Sequence, residues 1–174
     1  MKFFSDIRLL LLAIWLGAAV FFIGVAQSAF AVVADRKLAG AVVGRNLMVL
    51  NIGGITIAAL LIVMSLVGTA RISAFWLWIE RFLLLLVAAA CAVQQFVISF
   101  WMSSIRSQMT GPIDQVAADD PLRMQFDKLH QYSEWTLMAA MIAGLIAFFI
   151  IANRKFDKAK TKDDVYDFSK EFKV

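Results

Sequence analysis

Charge is scarce in this chain: Asp, Glu, Lys and Arg make up 17% of 174 residues, against about a quarter in soluble proteins. That scarcity excludes a large water-soluble domain. The longest polar stretches are the 29 residues from Arg106 to Glu134 and the 21 from Arg154, too short to enclose a core of their own. Cysteine is limited to Cys91, which rules out an intramolecular disulfide and a cysteine pair for zinc; inside an apolar run it reads as a small buried hydrophobe. His130 is the only histidine, so the chain cannot offer two imidazoles to a haem. It holds no Gly-rich phosphate loop and no Ser, His and Asp set that the topology could assemble, so the expected protein is not an enzyme. A net charge of +4 does not point to nucleic acid, because seven of the 17 basic residues fall in the last 21 positions, where membrane topology accounts for them.

What the chain has is apolar length. Residues 9–34, 46–70, 82–105 and 135–153 carry no charged side chain and together hold 94 residues. A hydrocarbon core about 30 Å thick needs roughly 20 residues of helix, so each stretch is long enough, or nearly so, to cross it. The fold class predicted is all-α: an integral membrane bundle of four transmembrane helices, with spans at about 8–34, 47–69, 79–105 and 132–153, and a charged tail over 154–174. Lys2 and Arg8 before an apolar run, with Ala29-Phe30-Ala31 after it, imitate a signal peptide. The apolar run is already 18 residues from Leu9 to Ala26, longer than a signal core, so a retained first helix is expected.

Lys and Arg distribute as 11 against six if both termini face the cytoplasm, which favours that orientation, and a bacterial inner membrane is the corresponding expectation. In lipid, helices associate through close backbone approach and interhelical hydrogen bonds. Ala13, Gly17 and Gly24 on the first span, Gly53, Gly54 and Ala58 on the second, and Ala139, Ala143 and Ala147 on the fourth, with Ala140 and Gly144 beside them, are therefore expected contact strips. The intramembrane polar residues Gln27, Asn51, Thr56, Gln94 and Gln95 should face the bundle interior or a wet cavity, as interhelical links or as the lining of a solute path. No charged residue is expected to be buried centrally. Trp76, Trp78, Trp101 and Trp135 suit the headgroup level, and Glu80 and Arg81 read as anchors.

Before the fourth span, Asp120 and Pro121 form a helix start, a capping carboxylate followed by a residue that needs no N–H partner. Leu122, Phe126 and Leu129 give that extension an apolar face, so the fourth helix begins outside its span, on the external side in the favoured orientation. Asp127, His130 and Glu134 share one side of it and form the chain's candidate metal site, with a solvated helix face as the plainer account. Six of the seven methionines after Met1 (Met48, Met102, Met109, Met124, Met138 and Met141) fall in the same half as His130. Thioethers with an imidazole suit Cu(I), and flexible core filling explains methionine equally.

Trp15, Gly17, Phe21 and Phe22, the Ala39-Gly40 and Gly44 turn, and the run DPLRMQFDKLHQYS from Asp120 to Ser133 resemble a known family over about residues 8–153. It is the four-span group called domain of unknown function 4149, which includes transmembrane protein 205. That group is distantly similar to copper-resistance D membrane proteins and to a membrane protoporphyrinogen oxidase group, so the resemblance implies copper or haem as cofactors to test. The expected function is that of a small transport or accessory subunit. A copper- or haem-binding redox protein and a structural subunit of a larger complex are the alternatives. Expected partners are the lipid bilayer and either a second copy of the chain or a larger membrane complex.

Overall fold

The computed structural model describes residues 2–67, 74–109, 111 and 113–153; the charged tail expected over 154–174 lies outside them. Within these residues the chain is helical, with no strand. Helix α1 runs Lys2–Val32, α2 Arg36–Val67 and α3 Ala74–Ala92. A π-helical turn at Val93–Ile98 leads into α4, Ser99–Gln108, so that α3, the turn and α4 form one rod. After a short 3-10 turn at Ile113–Gln115 comes α5, Pro121–Ala152. The four rods are long and apolar enough to cross a membrane. At 1.5 Å per residue the 31 residues of α1 extend about 46 Å, more than the hydrocarbon thickness, so its ends reach the headgroups. This is an integral membrane protein, and its backbone meets the demand that lipid makes of every N–H and C=O by staying helical.

Local chemistry sets the helix starts. Asp35 accepts hydrogen bonds from the amides of Lys37 and Leu38 at 2.8 and 3.2 Å, which opens α2 after a break of three residues. Asp120 does the same for Leu122 and Arg123 at 2.8 and 3.4 Å, with Pro121 as the first helical residue, so α5 starts where the sequence predicts. The π turn has a visible cause: the amide and the hydroxyl of Ser99 both donate to the carbonyl of Gln94, five residues back, the hydroxyl at 2.9 Å.

Each rod packs on the rods before and after it in the chain, and α5 closes the ring against α1. The end where α1 starts and α5 finishes is called proximal below, the other distal. Leu12, Trp15, Ala19, Leu50, Ala58, Leu61, Leu84, Val87, Cys91, Ala140, Ala143, Ala147 and Ile151 form one buried core. Trp15 is its keystone, since a side chain added at Gly54 would meet its indole at 2.6 Å and one added at Gly144 would meet it at 3.0 Å. Small residues on α2 and α5 thus make room for one large ring on α1, whose N–H donates to the Leu50 carbonyl at 3.2 Å.

The small-residue strips divide. Gly54 and Ala58 on α2, and Ala140, Ala143, Gly144 and Ala147 on α5, are buried contact positions, while Ala139 is exposed. On α1 the expectation fails: Ala13, Gly17 and Gly24 face outward, and nothing lies within 4 Å of where a side chain would begin on either glycine. The inward face of α1 carries Leu12, Trp15 and Ala19 instead. Trp76, Trp78, Trp101 and Trp135 are all exposed, as interfacial rings should be.

Candidate functional site

The bundle interior holds its polar groups at two levels. At the proximal end, Arg8 of α1 donates to the carboxylate of Glu80 on α3 and to the Leu61 carbonyl of α2 at 3.3 Å. Glu80 is fully buried and Arg8 is 4% exposed. Charge is thus buried inside the bundle, near its proximal end rather than centrally along the spans. The pair crosses the ring from α1 to α3 and is covered by protein on all sides, although both residues stand just before the charge-free runs. Arg81 does not pair with Glu80: one residue on, it points about 100° away and binds Ser65 of α2 through its hydroxyl and carbonyl, both at 2.9 Å. Neighbouring charges thus serve different helices.

Midway along the rods, Gln94 in the π turn donates to the Ser133 hydroxyl of α5 at 2.6 Å. Asn51 of α2 and Gln94 are both buried, as expected of intramembrane polar residues. The Asn51 amide nitrogen and the Gln94 and Gln95 carbonyl oxygens have no hydrogen-bond partner among the described residues. Two expectations fail here. Gln27 is exposed on α1, five residues from its end, where a long amide can reach the headgroups. Thr56 also faces outward and satisfies itself by donating to the Ile52 carbonyl of its own helix at 2.8 Å. Ser133 was legible only as part of the run before the fourth span, not as the partner of Gln94.

The distal cluster around the single histidine is a surface feature. His130 Nε2 lies 3.4 Å from Glu134 Oε1, and both side chains are more than half exposed. Its ring stacks on Phe126 at 6.5 Å, and the Arg106 guanidinium sits over the same Phe126 at 5.1 Å. Asp127 does not join them: among the described residues no group of three or more His, Cys, Asp and Glu side chains is placed to hold a metal ion.

A concavity lies outside the ring, between the π turn and α4 on one side and α5 on the other. Its deeper part, about 460 Å³, is lined by Val93, Val97, Ile98, Trp101, Trp135 and Ala139 among others. A distal part of about 400 Å³ shares Trp101, Leu129 and Tyr132 with it and adds Ser104, Gln125 and Lys128.

Residues 10–111 match the family described as Domain of unknown function (DUF4149). That range covers α1 from residue 10 and the next two rods, and stops before the Asp120–Ser133 run and α5. No curated protein and no solved structure matches the chain.

Proposed function

The chain belongs to the DUF4149 family, and from that premise we propose that it is a non-enzymatic accessory subunit of a bacterial inner-membrane assembly, oriented with both termini in the cytoplasm. The carrying observation is where the buried polar side chains are engaged. Arg8 with Glu80, Arg81 with Ser65, the Trp15 indole with Leu50, and Gln94 with Ser133 each link two different rods. An ionisable residue within a membrane bundle marks a functional path by default. Here the charges and amides hold the helices to one another, and Trp15 with two glycines fills the centre between them. The outward strip of Ala13, Gly17 and Gly24 on α1 leaves room for another helix to approach closely. The sequence count of 11 Lys and Arg against six supports the orientation.

Extraction of the tagged full chain in mild detergent, followed by mass spectrometry, tests this reading. A partner recovered in fixed ratio, and lost when Gly17→Ile blocks the outward strip, is the expected result. A chain that purifies alone and conducts a solute in proteoliposomes would count against it. One observation favours that transport reading: the Asn51 amide nitrogen and the Gln94 and Gln95 carbonyl oxygens, close to mid-span, have no hydrogen-bond partner among the described residues. Flux removed by Gln94→Leu would establish it.

A further inference from the structure

The groove between α4 and α5 has two chemically different halves, arranged along the membrane normal. Its deep half is bounded by Val93, Val97, Ile98 and Ala139, which lie within the charge-free runs. Trp101, Tyr132 and Trp135 form the middle, with Tyr132 and Trp135 edge to face at 6.2 Å and all three more than half exposed. The distal half adds the polar groups of Ser104, Gln125 and Lys128, beside Ile105. Lys128 stands seven residues before Trp135, about 10 Å further along the axis, which puts its ammonium above the aromatic level. Each part lies in the range of about 300–1,000 Å³ typical of small-molecule sites.

Charge decides what such a groove would take. Lys128 forms no ion pair among the described residues. The nearest carboxylates on its helix, Asp127 and Glu134, are turned about 100–120° away by the 3.6-residue period, whereas Gln125, Tyr132, Trp135 and Ala139 fall within about 60° of Lys128. The groove therefore carries a cation at its wet end, aromatic rings at the boundary and an apolar trench below, the order of groups in a phospholipid read from phosphate to acyl chain. We propose that this groove is a binding site for an anionic glycerophospholipid, with its phosphate on Lys128 and an acyl chain in the trench between the π turn and α5. A transmembrane helix of a partner would place apolar side chains against Lys128, Gln125 and Ser104, so the lipid is the better match.

The test uses the full chain in phosphatidylcholine vesicles and the quenching of tryptophan by acyl-brominated lipid. Trp101 and Trp135 line the groove, so the quenching lost in a Trp101→Phe, Trp135→Phe variant reports its occupant. At equal mole fraction, brominated phosphatidylglycerol should quench this component in preference to brominated phosphatidylcholine. A preference of roughly fivefold corresponds to one basic residue at the surface. Lys128→Gln should remove it and Lys128→Arg should keep it. Equal quenching by both lipids, or a preference that survives Lys128→Gln, would overturn the proposal. So would groove tryptophans that neither lipid quenches, the result expected if a second copy of the chain covers the face.

Discussion

Replacing Glu80 by Gln keeps the size of the side chain and removes the charge that faces Arg8. The guanidinium, 4% exposed, is then left in the protein with the Leu61 carbonyl and no counter-charge. Breaking a buried pair by removing one partner typically costs about 3–5 kcal/mol, because the survivor remains desolvated. Arg8 stands six residues from the first helical residue of α1, about 9 Å along the axis, so its long stem can turn toward the proximal headgroups. That relief puts the cost near the low end, about 3 kcal/mol, or more than a hundredfold in the folding equilibrium.

The measurement is equilibrium unfolding in mixed micelles of mild detergent and dodecyl sulfate, followed by helical circular dichroism. Glu80→Gln and Arg8→Gln should each be strongly destabilised, while the double variant, which leaves no buried charge, should return to within about 1 kcal/mol of the parent. Two outcomes would refute the reasoning. One is a loss below about 0.5 kcal/mol for Glu80→Gln, as for an exposed pair. The other is a double variant whose loss equals the sum of the singles, which would mean that the two groups do not interact.

Glycine substitutions should separate by face in the same assay. Gly54→Ala, whose new methyl would come within 2.6 Å of the Trp15 indole nitrogen and 2.7 Å of the Cys91 sulfur, should lose about 2 kcal/mol, whereas Gly17→Ala, with open space, should gain about 0.5–1 kcal/mol from helix propensity. Ser133→Ala removes the acceptor of the Gln94 amide and should cost about 1 kcal/mol, with much of it regained in the Gln94→Leu, Ser133→Ala double variant. Metal analysis and an absorption spectrum of the purified chain should show neither stoichiometric copper nor a Soret band, since among the described residues no third His, Cys, Asp or Glu joins the exposed His130 and Glu134. A stoichiometric metal lost on His130→Ala would reverse that reading.

The four rods were legible because a charge-free run of adequate length has one stable form in lipid. The start of α5 was legible for a different reason: Asp120 and Pro121 state their roles locally. Facing was not legible. A helix that is apolar all round carries no signal to separate lipid from protein, so the Ala13, Gly17 and Gly24 strip looked like a contact surface although the contact is made by Trp15. A better signal existed in the pairing of one large ring with glycines on other spans. Arg8 and Glu80 were hidden by position. Each stands at the margin of an apolar run, where a charge reads as topology or anchoring, and only the three-dimensional ring shows that both margins turn inward. The adjacency of Glu80 and Arg81 did hold a clue, because consecutive helical residues point about 100° apart and cannot share one partner.

Ala139, Ala143 and Ala147 show how the bundle and the groove grow from one strip. All three lie on one side of α5, yet Ala143 and Ala147 are buried against the other rods while Ala139 is exposed in the groove wall. The difference comes from what accompanies them. Around Ala143 and Ala147 stand Ala140 and Gly144, which let backbones close, whereas about two to three turns from Ala143 toward the distal end stand Trp135 and Tyr132, opposite Trp101. Small residues let the rods close, while the rings of Trp101, Tyr132 and Trp135 stand outward beside the Gln94–Ser133 link, so closed packing is flanked by a trench on the outer face within a few turns, at the level where Val93 begins the π turn. Ala143→Leu should therefore force extra methyl groups into a closed contact and cost about 2 kcal/mol. Ala139→Leu, the same change four residues earlier, should alter stability by less than about 0.5 kcal/mol and fill part of the trench. Equal losses at the two positions in micelle unfolding would mean that the rods remain closed at Ala139 and that the groove does not exist in the membrane.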